Sequence, residues 1–224
     1  MIYAENILVC IAIPLMISLL FIRGSARMFV AGSLIGMGVC LLAGYFNGFI
    51  SYTGAMSETD TSVFVAPLIE EIMKFVPLLM GITILRLENR ELLIFAAGIG
   101  TGFATFENCC HILTSGADSF GYVLIRGMSV GVMHIVSLLT VAFGTIVVRR
   151  FRVLHLAGIM GALAFSMTVH GLYNLLVSQP GITSFIGYAF PVVMSAVLYY
   201  IYKNTDFGEG EKETEIGPGT AEEM

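Results

Sequence analysis

The sequence predicts an all-α polytopic membrane protein of about seven transmembrane helices, with its N-terminus outside and its C-terminus cytoplasmic. Three observations carry that expectation. Of 224 residues, 57% are hydrophobic and 12% charged, and mean hydropathy is +0.88, whereas a soluble domain clothes its surface with roughly 25% charged residues. The apolar residues fall into seven windows separated by polar punctuation, most of them close to the ~20 residues that cross a ~30 Å hydrocarbon core. Lysine and arginine alternate between the connections, as the positive-inside rule requires.

The windows can be justified in order. The first, 6–22, has no basic flank before it and is followed by Arg23 and Arg27, the pattern of a retained helix with its N-terminus outside rather than of a cleaved leader. Windows 28–50 and 63–85 follow. Window 92–113 contains the run Gly98-Ile-Gly-Thr-Gly102; no strand precedes it, so it reads as a small-residue packing face and not as a dinucleotide loop. The fifth window, Phe120–Val148, is overlong, which predicts a tilt, a break or an interfacial first turn. Windows 153–177 and 182–202 complete the set. Arg23 and Arg27, Arg86 and Arg90, Arg149, Arg150 and Arg152, and Lys203 and Lys212 place nine of the eleven basic residues on alternate connections, and 51–62, 114–119 and 178–181 carry none. Residues 1–203 thus form one helical membrane domain. Residues 204–224, rich in Glu and Gly, read as an acidic disordered cytoplasmic tail. No basic run suggests nucleic acid, and Cys10, Cys40, Cys109 and Cys110 all sit in apolar stretches, against a disulfide framework. The expected setting is the cell membrane, crossed several times, with lipid as the main surrounding.

Against that background the ionisable residues inside the windows stand out: Glu70, Glu71, Lys74, Glu107, His111, Arg126, His134 and His170. Each costs about 2.5–3.5 kcal/mol at mid-membrane even on lenient scales, so each calls for a partner or a function. Counting ~1.5 Å per residue from the window ends puts Glu70, Glu71, Glu107, His134 and His170 all about 9–12 Å below the outer face. Four helices running in alternating directions therefore bring acids and imidazoles to one layer. Such groups are zinc ligands, and a nearby carboxylate could take a proton from activated water. Glu70 and Glu71 point about 100° apart on a helix, so one faces the layer while the other pairs elsewhere. Lys74 is i+4 from Glu70 and i+3 from Glu71, in reach of either. Asn174, i+4 from His170, could hold a substrate carbonyl or a developing oxyanion. Arg126 reads as a snorkelling or gating residue, and His111, one turn nearer the surface than Glu107, as a weaker ligand candidate. Taken singly, a buried Glu–Lys pair or a lone histidine is more often structural.

The residues resemble, in four ordered blocks, the PrsW family of intramembrane proteases. The blocks are Glu70-Glu-Ile-Met-Lys74, Phe103-Ala-Thr-Phe-Glu107-Asn108, Arg126 with His134 eight residues on, and His170-Gly-Leu-Tyr-Asn174. The family looks related to the CAAX prenyl-protein endopeptidases, which place a histidine where Glu107 stands. The resemblance implies hydrolysis of peptide bonds in membrane-anchored proteins or peptides, anti-sigma-factor-like substrates among them, on the extracytoplasmic side. It further implies that residues 1–203 are the protease domain. Glu70 or Glu71 would activate water, with Asn174 beside them; Glu107, His134 and His170 would hold zinc; and Lys74, Arg126, Phe103 and Asn108 would support them, by a metallo- or glutamic-type mechanism. A proton- or ion-coupled transporter would use similar groups but calls for repeated halves, and no internal repeat is visible. A non-catalytic scaffold of the same fold would have lost a block, and all four are intact.

Overall fold

The computed structural model describes residues 4–116, 119–149, 151 and 153–205. The helices are α1 (Ala4–Ser18), α2 (Gly24–Gly54), the single turn α3 (Glu58–Asp60), α4 (Ala66–Thr83), α5 (Asn89–Ser115), α6 (Phe120–Val148), α7 (His155–Ser178) and α8 (Ile182–Asn204), and a π-helical turn, Thr61–Val65, joins α3 to α4. No strand occurs among the described residues. Seven longer helices thus correspond to the seven windows. Five of them, α2, α5, α6, α7 and α8, are long and apolar enough to cross a membrane by length and composition alone. The other two differ for identifiable reasons. Helix α1 has 15 residues, about 22 Å of rise, short of a ~30 Å core. Helix α4 carries Glu70, Glu71 and Lys74 within its 18 residues. Most of the acidic tail expected at 204–224 lies outside the described residues, as do Arg150 and Arg152.

Local chemistry explains the ends of the helices. In α5, Glu88 and Glu91 form a reciprocal capping box, satisfying two of the amides that a helix start leaves open. Ser119 accepts from the Tyr122 amide to start α6. Helix α2 stops where Ala55 turns left-handed (φ 48°) and its amide reaches back to Ser51 O.

Helix α5 is the most enclosed span and α8 the most peripheral. The closest packing joins α2 to α5. A Cβ added at Gly36 would collide with the Ile99 carbonyl, and one at Gly102 with the Ser33 carbonyl, so these backbones touch because both residues lack side chains. Phe29 lies against Gly98 and Ser33 against Gly102; numbers rise together, so α2 and α5 run parallel. The other pairings give the alternation expected of sequential spans. Glu107 meets Arg126 and His111 meets Tyr122, so α5 and α6 are antiparallel. Gly144 faces Ala162 and Gly158 faces Val148 in the α6–α7 hairpin, and Gly187 packs on Val177 in the α7–α8 hairpin. Arg149 donates to Asn89 Oδ1 (2.9 Å) and Leu87 O (3.1 Å), so two of the arginine-bearing connections share one end of the bundle.

Candidate metal centre and active site

The polar residues of four helices meet between α4, α5, α6 and α7. Helix α4 contributes two adjacent carboxylates that part ways, as residues 100° apart must. Glu71 turns inward and is fully buried, as is Lys74. Its Oε1 lies 2.6 Å from Lys74 Nζ and 2.8 Å from His170 Nδ1, while Ser166 Oγ donates to its Oε2 at 2.9 Å. Lys74 Nζ also reaches His134 Nδ1 (3.1 Å) and Ser137 Oγ (3.3 Å) and lies 4.9 Å from the centre of the Phe103 ring. This acid–lysine pair is satisfied on every side, the condition for keeping buried charge.

Glu70 faces a cavity of about 930 Å³, which Glu107, Arg126, His134, His170 and Asn174 also line. The cavity opens beside Ser51, Tyr52 and Met56 at the α2–α4 connection, the end of the bundle away from the arginine-bearing connections. Asn47 Nδ2 donates to Glu70 Oε1 (3.2 Å), and Glu70 Oε2 lies 3.9 Å from His170 Nε2. Because the Glu71 carboxylate takes the Nδ1 hydrogen of His170, the lone pair of that ring is left on Nε2, aimed toward Glu70 and the cavity. The rings of His134 and His170 stand edge to face with centroids 5.1 Å apart, and Phe103 packs 4.7 Å from His134.

Glu107 is held from both sides. Arg126 donates to its Oε1 at 3.1 Å. Its Oε2 lies 2.5 Å from His134 Nε2, the ring nitrogen that carries the hydrogen when Lys74 donates to Nδ1. Asn174 donates to Ser62 O at 2.8 Å. That bond has a local cause: the π-helical turn sends the Ala66 amide to Thr61 O, and the next bond in that register would need an N–H from Pro67, which has none.

The structure therefore gathers Glu70, Glu107, Arg126, His134, His170 and Asn174 at one cavity, and Glu71, Lys74 and Phe103 behind it. Asn108 and His111 do not line it; His111 Nε2 pairs with Tyr122 OH at 2.7 Å. Asn47, Ser137 and Ser166 are partners that sequence reasoning missed. Asn47 was visible as an amide within an apolar window, but serines in membrane helices more often serve packing.

One carboxylate and two imidazoles, those of Glu70, His134 and His170, offer ligand atoms within 4.8 Å of one another. Ligand atoms around a tetrahedral zinc with ~2.0–2.1 Å bonds sit about 3.3 Å apart, so the trio needs to close by at most about 1.5 Å. The donor chemistry of this trio fits a metal, and the Glu107 carboxylate lies beside it. Among curated proteins and among solved structures no significant match is found. Residues 23–201, from the start of the first long span to the last turns of α8, match the PrsW family of intramembrane metalloproteases. That match takes in every residue of the cavity and of the buried network behind it, and the chain belongs to that family of membrane peptidases.

Proposed function

We propose that this protein cuts membrane-anchored protein or peptide substrates in the outer half of the bilayer, with Glu70 and His170 holding a zinc ion, His134 joining them when Lys74 releases its Nδ1 and the ring hydrogen moves there from Nε2, and Glu107 accepting the proton of the attacking water. The observation that carries the reading is the convergence of two imidazoles and Glu70 at one polar cavity, with the Glu107 carboxylate beside them. When bound, the ion supplies Lewis-acid polarisation of the scissile carbonyl and of water. This chain's own side chains do the rest. Arg126 anchors one oxygen of Glu107 and leaves the other to receive the proton. Glu71, itself fixed by Lys74 and Ser166, sets the tautomer and orientation of His170, as carboxylates behind metal-binding histidines do. Asn47 orients Glu70. Asn174 keeps one amide hydrogen on Ser62 O, and the second is the donor we assign to the developing oxyanion. The cavity admits water, and the substrate helix must unwind there, because a helix hides its carbonyls in its own hydrogen bonds. This assignment exchanges two expected roles: Glu70 becomes a ligand, Glu107 the base, and Glu71 a positioning residue.

Metal analysis of the purified protein, with cleavage of a labelled transmembrane peptide, tests the reading. Glu107→Gln should keep its metal and lose about 10²–10⁴ in rate, the usual contribution of a general base. Glu70→Gln and His170→Ala should lose metal and activity together. Full activity in Glu107→Gln sinks the base assignment, and an active protein free of metal sinks the centre.

A further inference from the structure

Helix α1 is held to the bundle lightly. None of its residues is buried, Pro14 inside it lacks a backbone N–H to donate, and Val9, Ile13, Met16 and Ile17 are each more than half exposed. Its inner face, Ile7, Leu8, Ile11 and Leu15, packs against Met37, Cys40 and Ala43 of α2 and Phe103 and Phe106 of α5. In water such a contact would be secure. In a bilayer it is not, because lipid tails are as apolar as the helix and only packing and polar contacts hold helices together. Among the described residues the polar tie between α1 and the bundle is at its start, where Tyr45 OH donates to the Glu5 carboxylate.

Beside the first turn of α1 lies a cavity of about 430 Å³ lined by Glu5, Cys40, Tyr45, Phe106, Glu107 and Cys110, among others. Glu107 also lines the large polar cavity. The α2–α5 face at the start of α1 thus borders the same carboxylate, assigned above as proton acceptor, that lines the large cavity. The wide cavity at the α2–α4 connection gives a route for water.

We propose that the α2–α5 face beneath α1 is the docking surface for the membrane-spanning segment of the substrate, and that α1 covers it until that segment takes its place. The proposal rests on the protease reading above. The surface suits this occupant: it is apolar, its Cys40, Ala43 and Gly44 allow a second helix to approach closely, and it ends at the polar groups that an unwound turn would meet. Because α1 contacts the same surface, the exchange of α1 for a substrate helix trades like for like, and Glu5–Tyr45 is the contact that biases the balance toward α1.

The test compares a labelled transmembrane peptide with a short soluble peptide that reaches the site through the water-filled cavity. In protein whose native cysteines are replaced by alanine, Glu5→Cys and Tyr45→Cys are bridged by a short bis-maleimide. Bridging should lower cleavage of the transmembrane peptide about tenfold or more while sparing the short peptide, and Tyr45→Phe should raise cleavage of the transmembrane peptide about fivefold, the population shift that loss of one hydrogen bond allows. Both substrates unaffected by bridging, or both lost, overturns the proposal. An unbridged protein that cuts neither peptide overturns the protease reading itself, a separate failure. An independent readout uses Glu107→Gln protein that retains Cys110 alone: bound, uncut transmembrane peptide should shield Cys110 from maleimide. Unchanged labelling, or equal shielding by phospholipid without peptide, overturns the assignment.

Discussion

The buried Glu71–Lys74 pair decides whether the residues in front of it are usable. Each charge is fully buried, so neither can lose its partner without leaving an uncompensated ion, a defect worth about 3–5 kcal/mol. Lys74→Met should therefore destabilise the protein by about that amount in unfolding titrations, and Glu71→Leu combined with Lys74→Met should recover part of the loss, since an apolar pair of similar volume needs no partner. Glu71→Gln probes the other duty of this carboxylate. It keeps the shape but weakens the hold on His170 Nδ1, so metal affinity should fall about 10–100-fold, the usual effect of losing a partner behind a metal-binding histidine. A competitive chelator titration reads this directly. Unchanged affinity would leave Glu71 with only a structural duty. The sequence showed that Glu70 and Glu71 must diverge, but not which one faces the cavity. That choice is made by Ser166 and His170 on α7, whose position beside α4 is a tertiary fact.

Among the elements, α2 and α5 form the frame on which the centre is hung: α5 carries Phe103 and Glu107, and α2 carries Asn47. Their contact depends on absent side chains. A methyl group at Gly36 or Gly102 must push the helices apart, because the opposing atoms are backbone carbonyls that cannot rotate away. Overpacking of this kind costs about 1–3 kcal/mol. Gly36→Ala and Gly102→Ala should both lower the melting temperature in detergent, whereas Gly38→Ala, with nothing within 4 Å of the added atom, should not, and gains helix propensity. Equal behaviour of the three variants would remove the close contact as a source of stability. The π-helical turn before α4 makes a second test. Asn174→Ala strips the donor from Ser62 O, and Pro67→Ala restores a backbone N–H that could replace it. The two substitutions should be non-additive by about 0.5–3 kcal/mol in a double-mutant cycle of unfolding free energies, as coupled neighbours are; simple additivity would show that Asn174 does not serve this turn.

At the scale of the whole molecule, much of the fold was legible, because a membrane span must be a continuous apolar run and such runs are visible in one dimension. The same rule hid α1: window 6–22 is apolar enough, but the helix ends at Ser18. It also hid the π-helical turn, whose free Ser62 carbonyl is met by Asn174 from α7, a contact between helices far apart in the chain. The shared depth of Glu70, Glu107, His134 and His170 was legible for the same reason that the spans were, since rise per residue fixes depth. Rotation about each helix axis was not, and it is rotation that separates ligand from support. Sidedness rests on charge alone. If the arginine-bearing ends are cytoplasmic, the cavity mouth beside Ser51, Tyr52 and Met56 faces the outside. In protein whose native cysteines are replaced, Ser57→Cys and Gln179→Cys should then react with a membrane-impermeant maleimide in intact cells, while Arg86→Cys and Thr205→Cys should react only after permeabilisation. The same orientation exposes the metal centre to external water, so an impermeant chelator should silence cleavage in intact cells. The reverse labelling pattern would put the cavity on the cytoplasmic side, and with it the place where substrates are cut.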